Sequence, residues 1–380
     1  MSKPTKNNEG MGLYIHIPFC VSKCGYCDFL SFEGKDDSLQ RRYVEALIAE
    51  IQAANNRTTE IDTVYIGGGT PTALPTHLLC EILHEVKHFN LTKDAEITVE
   101  MNPCTAPHSV LPDLKTCGVN RLSIGLQAWQ DDLLATIGRA HTTQDFVSTM
   151  EAARAAGFDN INVDLMFGLP GQTQRHWQES IAQVAAFAPE HISAYSLTPA
   201  EDTLLWDALE AGKIQLPDES ADRKMYHQAI SLLAAAGYEH YELSNFAKPG
   251  RRSRHNVNCW LRKPYLGLGL GAHSFDGAAR WNNTEDMGQY LSSPLLNIIE
   301  NHQQLSIQDT MSETMFLGLR LTKGISLQDF HNRFGKPLTD YYGPKLEMLT
   351  AKGLLAYKDG CIALTPLGLD LANQVFEAFL

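Results

Sequence analysis

The sequence predicts an α/β fold on a parallel sheet, followed by a small separate C-terminal unit, and three observations carry that prediction. Six short β-branched runs recur at roughly the 30-residue spacing of a βαβ unit. Helical patterns fill the gaps between them. From about Leu305 the rhythm changes to three helices and two short strands.

The runs are Leu13–Ile17, Thr63–Ile66, Glu96–Met101, Arg121–Leu126, Asn160–Leu165 and His191–Leu197. Ser38–Asn55 carries Leu39, Tyr43, Leu47 and Ile51 on one helical face. His77–Phe89, Gln144–Ala156 and Thr173–Phe187 read the same way. Strand and helix in alternation mean a parallel sheet, either a barrel or a doubly wound sheet. Beyond it, Asp218–Gly237 reads as a helix and His240–Phe246 as one strand. Lys248 to Gly271 reads as a Gly-, Pro- and Arg-rich loop. In the last unit, helices at Thr310–Arg320, Leu327–Phe334 and Pro344–Lys352 precede strands at Leu354–Tyr357 and Cys361–Leu364, a winged-helix-like α+β pattern. The expected parts are a disordered N-terminus 1–12, a barrel 13–200, an extension 201–304 and a C-terminal module 305–380.

The chain has 44 acidic against 31 basic residues and a net charge of −13. That balance argues against a nucleic-acid partner and, for the C-terminal module, favours a packing or lid role over DNA binding. No apolar run reaches the ~18 residues of a membrane span. The polar N-terminus lacks the apolar core of a secretory signal, so a cytoplasmic protein is expected. Eight cysteines are too sparse for a disulfide scaffold. Five are scattered, as small core residues would be, but Cys20, Cys24 and Cys27 fall within eight positions just after the first strand.

Three close thiolates can hold one metal centre. Zinc would want a fourth ligand, and no second pair follows. An iron–sulfur cubane normally takes four cysteines, so three leave one iron open. Polar residues also end the next strands: Gly67–Pro71, Glu100 and Asn102, Gln127, and Asp164. Chemistry in a βα barrel sits at those strand ends. Glycines there let the backbone approach a ligand, and free N–H groups would suit an anion.

The Cys-x-x-x-Cys-x-x-Cys spacing resembles the signature of the radical S-adenosylmethionine (SAM) superfamily. Within it, YIHIPFC, GGGTP, NRLSIGLQ, DLMFGLPGQT and the C-terminal module resemble the oxygen-independent coproporphyrinogen III dehydrogenase family and its haem-chaperone branch. The resemblance implies a partial (β/α)6 barrel with the winged-helix-like module behind it. It implies a 4Fe-4S cluster on Cys20, Cys24 and Cys27, with SAM on the open iron and cleaved on one-electron reduction to a 5′-deoxyadenosyl radical. By matching positions it implies SAM contacts from Tyr14, Tyr26, Gly68, Gly69, Thr70, Glu100, Gln127, Arg139 and Asp164, with the GGGTP turn resembling the family's glycine motif that grips the SAM amino group. Gln127, Arg139 and Asp164 match the place of a second SAM in the dehydrogenase.

Three features favour the chaperone branch. Phe29 stands where the dehydrogenase has a further cysteine, only about a dozen residues precede Leu13, and an H-N-x-x-Y-W-like motif appears as His255–Trp260, with Cys259 in place of Tyr. The chaperone reading implies haem as cofactor and cargo, passed to haem-requiring acceptors such as respiratory membrane enzymes. It also implies a cytoplasmic protein, peripheral to the inner membrane, as monomer or dimer. The dehydrogenase reading implies radical decarboxylation of porphyrinogen propionates instead. The haem candidates are His255, Cys259 and His273 for iron, with Trp260 beside them, and Arg251, Arg252 and Arg254 for the propionates. Leu243 to Phe275 holds no Asp or Glu in 33 residues, where the chain average would place about four. Arginine forks pair well with carboxylates, but a histidine near a tryptophan is also a common packed residue, and a solvated basic loop would look the same.

Overall fold

The computed structural model describes residues 10–34, 36–55, 59–105, 107–292 and 298–380. Residues 1–9 of the expected N-terminal segment lie outside these. Met11 and Gly12, assigned to the same segment, instead open the first strand.

Six strands form the frame: β1 Met11–Ile17, β2 Ile61–Gly68, β3 Leu91–Met101, β4 Arg121–Gln127, β5 Ile161–Phe167 and β6 His191–Ser196. They lie side by side in chain order, all parallel. The sheet does not close, so the barrel is partial. On the β1 side, Tyr265–Leu268 pairs parallel to β1, and three antiparallel strands, His273–Phe275, Ala279–Asn283 and Ile299–Gln304, follow outward. On the β6 side, Asn245–Ala247 and Glu239–Glu242 add an antiparallel hairpin.

Side-chain alternation divides each strand between two environments. Val64, Ile66, Val99, Leu122, Ile124, Val163, Leu165 and Ile192 point outward into one continuous apolar core. Helices Asp37–Ala54, Thr76–Val86, Thr143–Ala155 and Gln174–Ala186 bury their apolar faces there too. The alternate positions, Thr63, Tyr65, Thr98, Glu100, Arg121, Ser123, Asn162, Asp164, His191 and Ser193, are polar and line the barrel interior. Helix starts are set by side chains that occupy free N–H groups. Asp36 accepts from Leu39 N at 3.0 Å, and Thr142 with Asp145 forms a reciprocal capping box.

Three details differ from the sequence expectation. His240–Phe246 is a hairpin, because the Glu242 carboxylate accepts from Ser244 N at 3.0 Å and from the Asn245 side chain, folding the chain back. The loop expected from Lys248 to Gly271 contains a helix, Arg254–Trp260, and a strand, Tyr265–Leu268. The helix expected from Pro344 starts at Leu338 and carries Pro344 inside it, since buried Leu338 and Tyr342 hold the first turn to the core.

The C-terminal module has its own apolar core, from Met311 to Phe379, and a three-stranded sheet completed by Ile325–Ser326. Glu313 fastens it to the barrel extension. It accepts from Arg262 Nε and Arg280 Nε, both at 2.6 Å. The Arg262 side chain is 1% exposed, so losing its partner leaves a buried charge uncompensated. Glu313→Leu is expected to destabilise the docked module by about 3–5 kcal/mol. Denaturant unfolding with a probe in the module measures it, and an unchanged midpoint would count against the clasp.

Candidate functional site

At the C-terminal ends of β1 to β6 the interior opens into a cavity of about 450 Å³, within the ~300–1,000 Å³ range of small-molecule sites. Cys20, Cys24, Tyr26, Cys27, Gly68, Gly69, Thr70, Glu100, Gln127, Arg139 and Asp164 all line it. Eleven of the twelve cluster and SAM candidates therefore share one wall. The exception is Tyr14. Its hydroxyl shares a 2.9 Å hydrogen bond with His16 Nδ1, and its ring stacks on Tyr65, outside the lining.

The three cysteines lie on the loop after β1. Cys20 Sγ is 3.7 Å from Thr70 Oγ1, and Arg139 Nη1 donates to Cys24 Sγ at 3.5 Å. Burial raises the Cys20 and Cys27 thiols above their ordinary range. Among the described residues no three His, Cys, Asp or Glu side chains are placed to hold a single ion. Arg139 joins the loop to the barrel. Its Nη2 donates to Gly125 O at 2.6 Å and to the Asn102 side chain, and it also hydrogen-bonds Tyr26.

The glycine turn after β2 does not present the free N–H groups that an anion site would need. Gly68 N donates to Glu100 Oε2 at 3.2 Å, Gly69 N to Ile17 O at 2.9 Å, and Thr70 N to Phe19 O at 2.7 Å. Those N–H groups are engaged within the protein, so the turn is not an anion nest. It lies tight against the loop that carries Cys20: a Cβ added at Gly69 would lie 2.7 Å from Phe19 O.

Glu100 adds a buried carboxyl to the cavity wall. Tyr65 donates to its Oε1 at 2.6 Å. Burial outweighs this bond and, with help from the nearby Asp164 charge, pushes the Glu100 carboxyl up to about 7. Asp164 is raised by burial too, against hydrogen bonds from Ser193, Asn162 and Ser123. Arg121 lies deeper in the barrel, 1% exposed, its Nε without a hydrogen-bond partner in the structure. It lowers both carboxyls without reversing their shifts. Gln127 ends β4 with φ 74°, a left-handed backbone that costs a non-glycine residue energy and turns it into the cavity. Sequence reasoning missed Tyr65, Ser123 and Tyr195 as lining residues. Ser123 lies opposite Glu100, Tyr65 opposite Tyr14, and Tyr195 two positions beyond Ser193, which pairs with Asp164, so the period of two could have found them.

The haem candidates are not in this cavity. Helix Arg254–Trp260 sits at the N-terminal ends of the strands. Arg254 N and His255 N donate to Glu96 Oε1 at 3.0 and 3.2 Å. The buried His255 ring shares a 3.0 Å hydrogen bond with Thr63 Oγ1 and stacks on Tyr65 at 5.2 Å. Arg251 pairs with Asp159, Arg252 with Glu239, and Arg254 with Asp94. The acid-free stretch is thus neutralised by carboxylates from elsewhere in the chain. Cys259 is half-buried, its thiol pushed up to about 11 by burial. Trp260 lies under the Arg320 guanidinium at 4.2 Å. His273 is exposed, on the strand His273–Phe275.

Residues 14–184 match the model of the Radical SAM superfamily, and 305–371 match the HemN C-terminal domain. A Bacillus subtilis protein named "Heme chaperone HemW" is 37% identical over 374 residues, covering 97% of this chain and 98% of its own. A protein of the same name from Escherichia coli is 33% identical, covering 97% and 98%. The solved structure of Escherichia coli coproporphyrinogen III oxidase (HemN), described as a radical SAM enzyme, superposes with a TM-score of 0.86 over 98% of this chain and 91% of that one. At 23% identity that likeness shows the fold. Both domain matches and the near full-length relatives agree: the chain belongs to the radical SAM superfamily, in the family of proteins named heme chaperone HemW.

Proposed function

We propose that this protein is a SAM-binding haem chaperone. Cys20, Cys24 and Cys27 would hold a 4Fe-4S cluster, and the chemistry that cluster supplies is one-electron cleavage of SAM held at its open iron. The observation that carries this reading is one cavity lined by three thiols, the glycine turn at Gly68 and Gly69, and two buried carboxyls. The donor set fits the groups. A cluster takes each thiolate on a separate iron, so the thiols need not converge on one point.

The chain's own residues divide the work of binding. The Gly68 and Gly69 carbonyls and the Glu100 carboxylate would accept from the SAM amino group. Tyr26, braced by Arg139, would pack on the adenine. Gln127 and Asp164 would reach the ribose side or a second SAM. Tyr14 would act from behind, through His16 and Tyr65.

Haem is the cargo in this proposal, handed to haem-requiring acceptors, respiratory membrane enzymes among them. The support is the name carried by relatives that match along nearly the whole chain. Among the iron-ligand candidates the structure leaves His273 most open. His255 is engaged with Thr63 and Tyr65, and Cys259 is held as a neutral thiol. The parts 13–200, 201–304 and 305–380 would serve as SAM barrel, haem-handling extension and docking module.

The alternative is coproporphyrinogen decarboxylation, which needs the tetrapyrrole beside SAM. Phe29 lines the cavity mouth and is 63% exposed, offering no thiol there. The discriminating experiment combines anaerobic haem titration with product analysis on coproporphyrinogen III. Haem should bind with or without saturating SAM, because its iron-ligand candidates lie outside the SAM cavity. No protoporphyrinogen should form. Conversion at the rate of a dehydrogenase control would overturn the chaperone reading.

The iron ligand can be tested separately. His273→Ala should change the haem absorbance spectrum, and His255→Phe should leave it in place. The reverse pattern would move the ligand to the barrel floor.

A further inference from the structure

A second group of reactive side chains lies outside the cavity. Cys80 sits on helix Thr76–Val86, and Cys117 caps the end of helix Val110–Thr116. These helices pack together, and both cysteines line one open surface cavity of about 530 Å³ with Ile48, His77, His84 and Lys87. Both are half-buried, and the two thiols lie close enough to interact electrostatically. Thiols facing one another across packed helices close a disulfide when side-chain rotation brings their Cβ atoms to about 3.5–4.5 Å.

We propose that Cys80 and Cys117 form a reversible disulfide with small-molecule disulfides as the oxidant. One thiol loses its proton and attacks a low-molecular-weight disulfide, releasing one small thiolate and leaving a mixed disulfide. The second thiol loses its proton and displaces the small partner, closing the Cys80–Cys117 bond. The two protein sulfurs are oxidised together by two electrons. The small disulfide is reduced to two thiols, which take up the two protons. Burial raises the Cys80 thiol well above its ordinary range, so attack from that sulfur is slow near neutral pH.

The position gives the bond a consequence. Helix Thr76–Val86 follows the glycine turn, and the chain between the two cysteines includes β3 with Glu100. The bond would tie together the two βα units that supply Gly68, Gly69 and Glu100 to the main cavity.

The test uses the full chain, incubated anaerobically with glutathione disulfide, then alkylated and mapped by mass spectrometry without reduction. A Cys80–Cys117 cross-linked peptide is expected, lighter than the two thiol peptides together by about 2 Da for the two hydrogens lost. Both cysteines should become alkylatable again after dithiothreitol. In Cys80→Ser, Cys117 should instead accumulate the glutathione mixed disulfide. Free alkylatable Cys80 and Cys117 after full oxidation of the buffer would overturn the proposal, as would a lasting glutathione adduct on either in the unmodified sequence.

Discussion

Replacing Cys24 by alanine is expected to abolish the brown iron–sulfur chromophore and with it nearly all bound iron and sulfide. Two thiolates cannot anchor a cubane that already lacks its fourth cysteine. The removed thiol is also the one that Arg139 contacts, at 3.5 Å. Its loss removes one of the two contacts, Cys24 and Tyr26, through which that guanidinium ties the cluster loop to Asn102 and Gly125. Cys361→Ala serves as the control, since that cysteine is buried in the C-terminal module. Iron and sulfide assays on anaerobically reconstituted protein should separate the two variants completely. Full iron and sulfide in the Cys24→Ala protein would remove the loop from the cluster site.

SAM affinity is expected to fall about tenfold for each pH unit below about 7, and to level off above it. The cause is Glu100, whose carboxyl is pushed up to about 7, chiefly by burial. Accepting from a cationic amino group requires the carboxylate, so below that pH a proton must first be expelled. Asp164 is raised in the same direction, so the profile reports the coupled pair. Glu100→Gln should flatten the profile and weaken binding at pH 8 by roughly 10- to 100-fold, the range of a hydrogen bond to a charged group. Stability should move the other way. The folded pKa lies above the ordinary value of 4.5, so the favourable contribution of the protonated carboxyl is whole below 4.5. It is lost as pH rises through about 7. SAM-free Glu100→Gln protein should therefore be more stable than the parent at pH 8, an exchange of stability for function. A pH-independent SAM affinity in the parent would detach Glu100 from the ligand.

The six strands were legible because each alternates between an apolar face under helices and a polar face in the barrel. The engagement of the glycine turn's N–H groups was not. GGGTP announces close approach in any fold, but only pairing with Ile17, Phe19 and Glu100 shows that its N–H groups are engaged. The partners of the acid-free stretch were hidden for a similar reason. Asp159, Glu239, Asp94 and Glu313 lie far from it in sequence, and folding brings each against an arginine. His255 looked like a ligand beside a tryptophan, whereas the helix N-terminus that Glu96 caps turns it into the barrel floor. Pairings across the sheet decide such roles, and one strand's sequence carries only half of each pair.

Electron paramagnetic resonance of the reduced, reconstituted protein with and without SAM tests the central claim most directly. The account predicts about four irons and four sulfides per chain, and a reduced-cluster signal whose g-values shift when SAM is added, because SAM occupies the iron that Cys20, Cys24 and Cys27 leave open. Identical spectra with and without saturating SAM, or a chain that takes up zinc in place of the cluster, would contradict it.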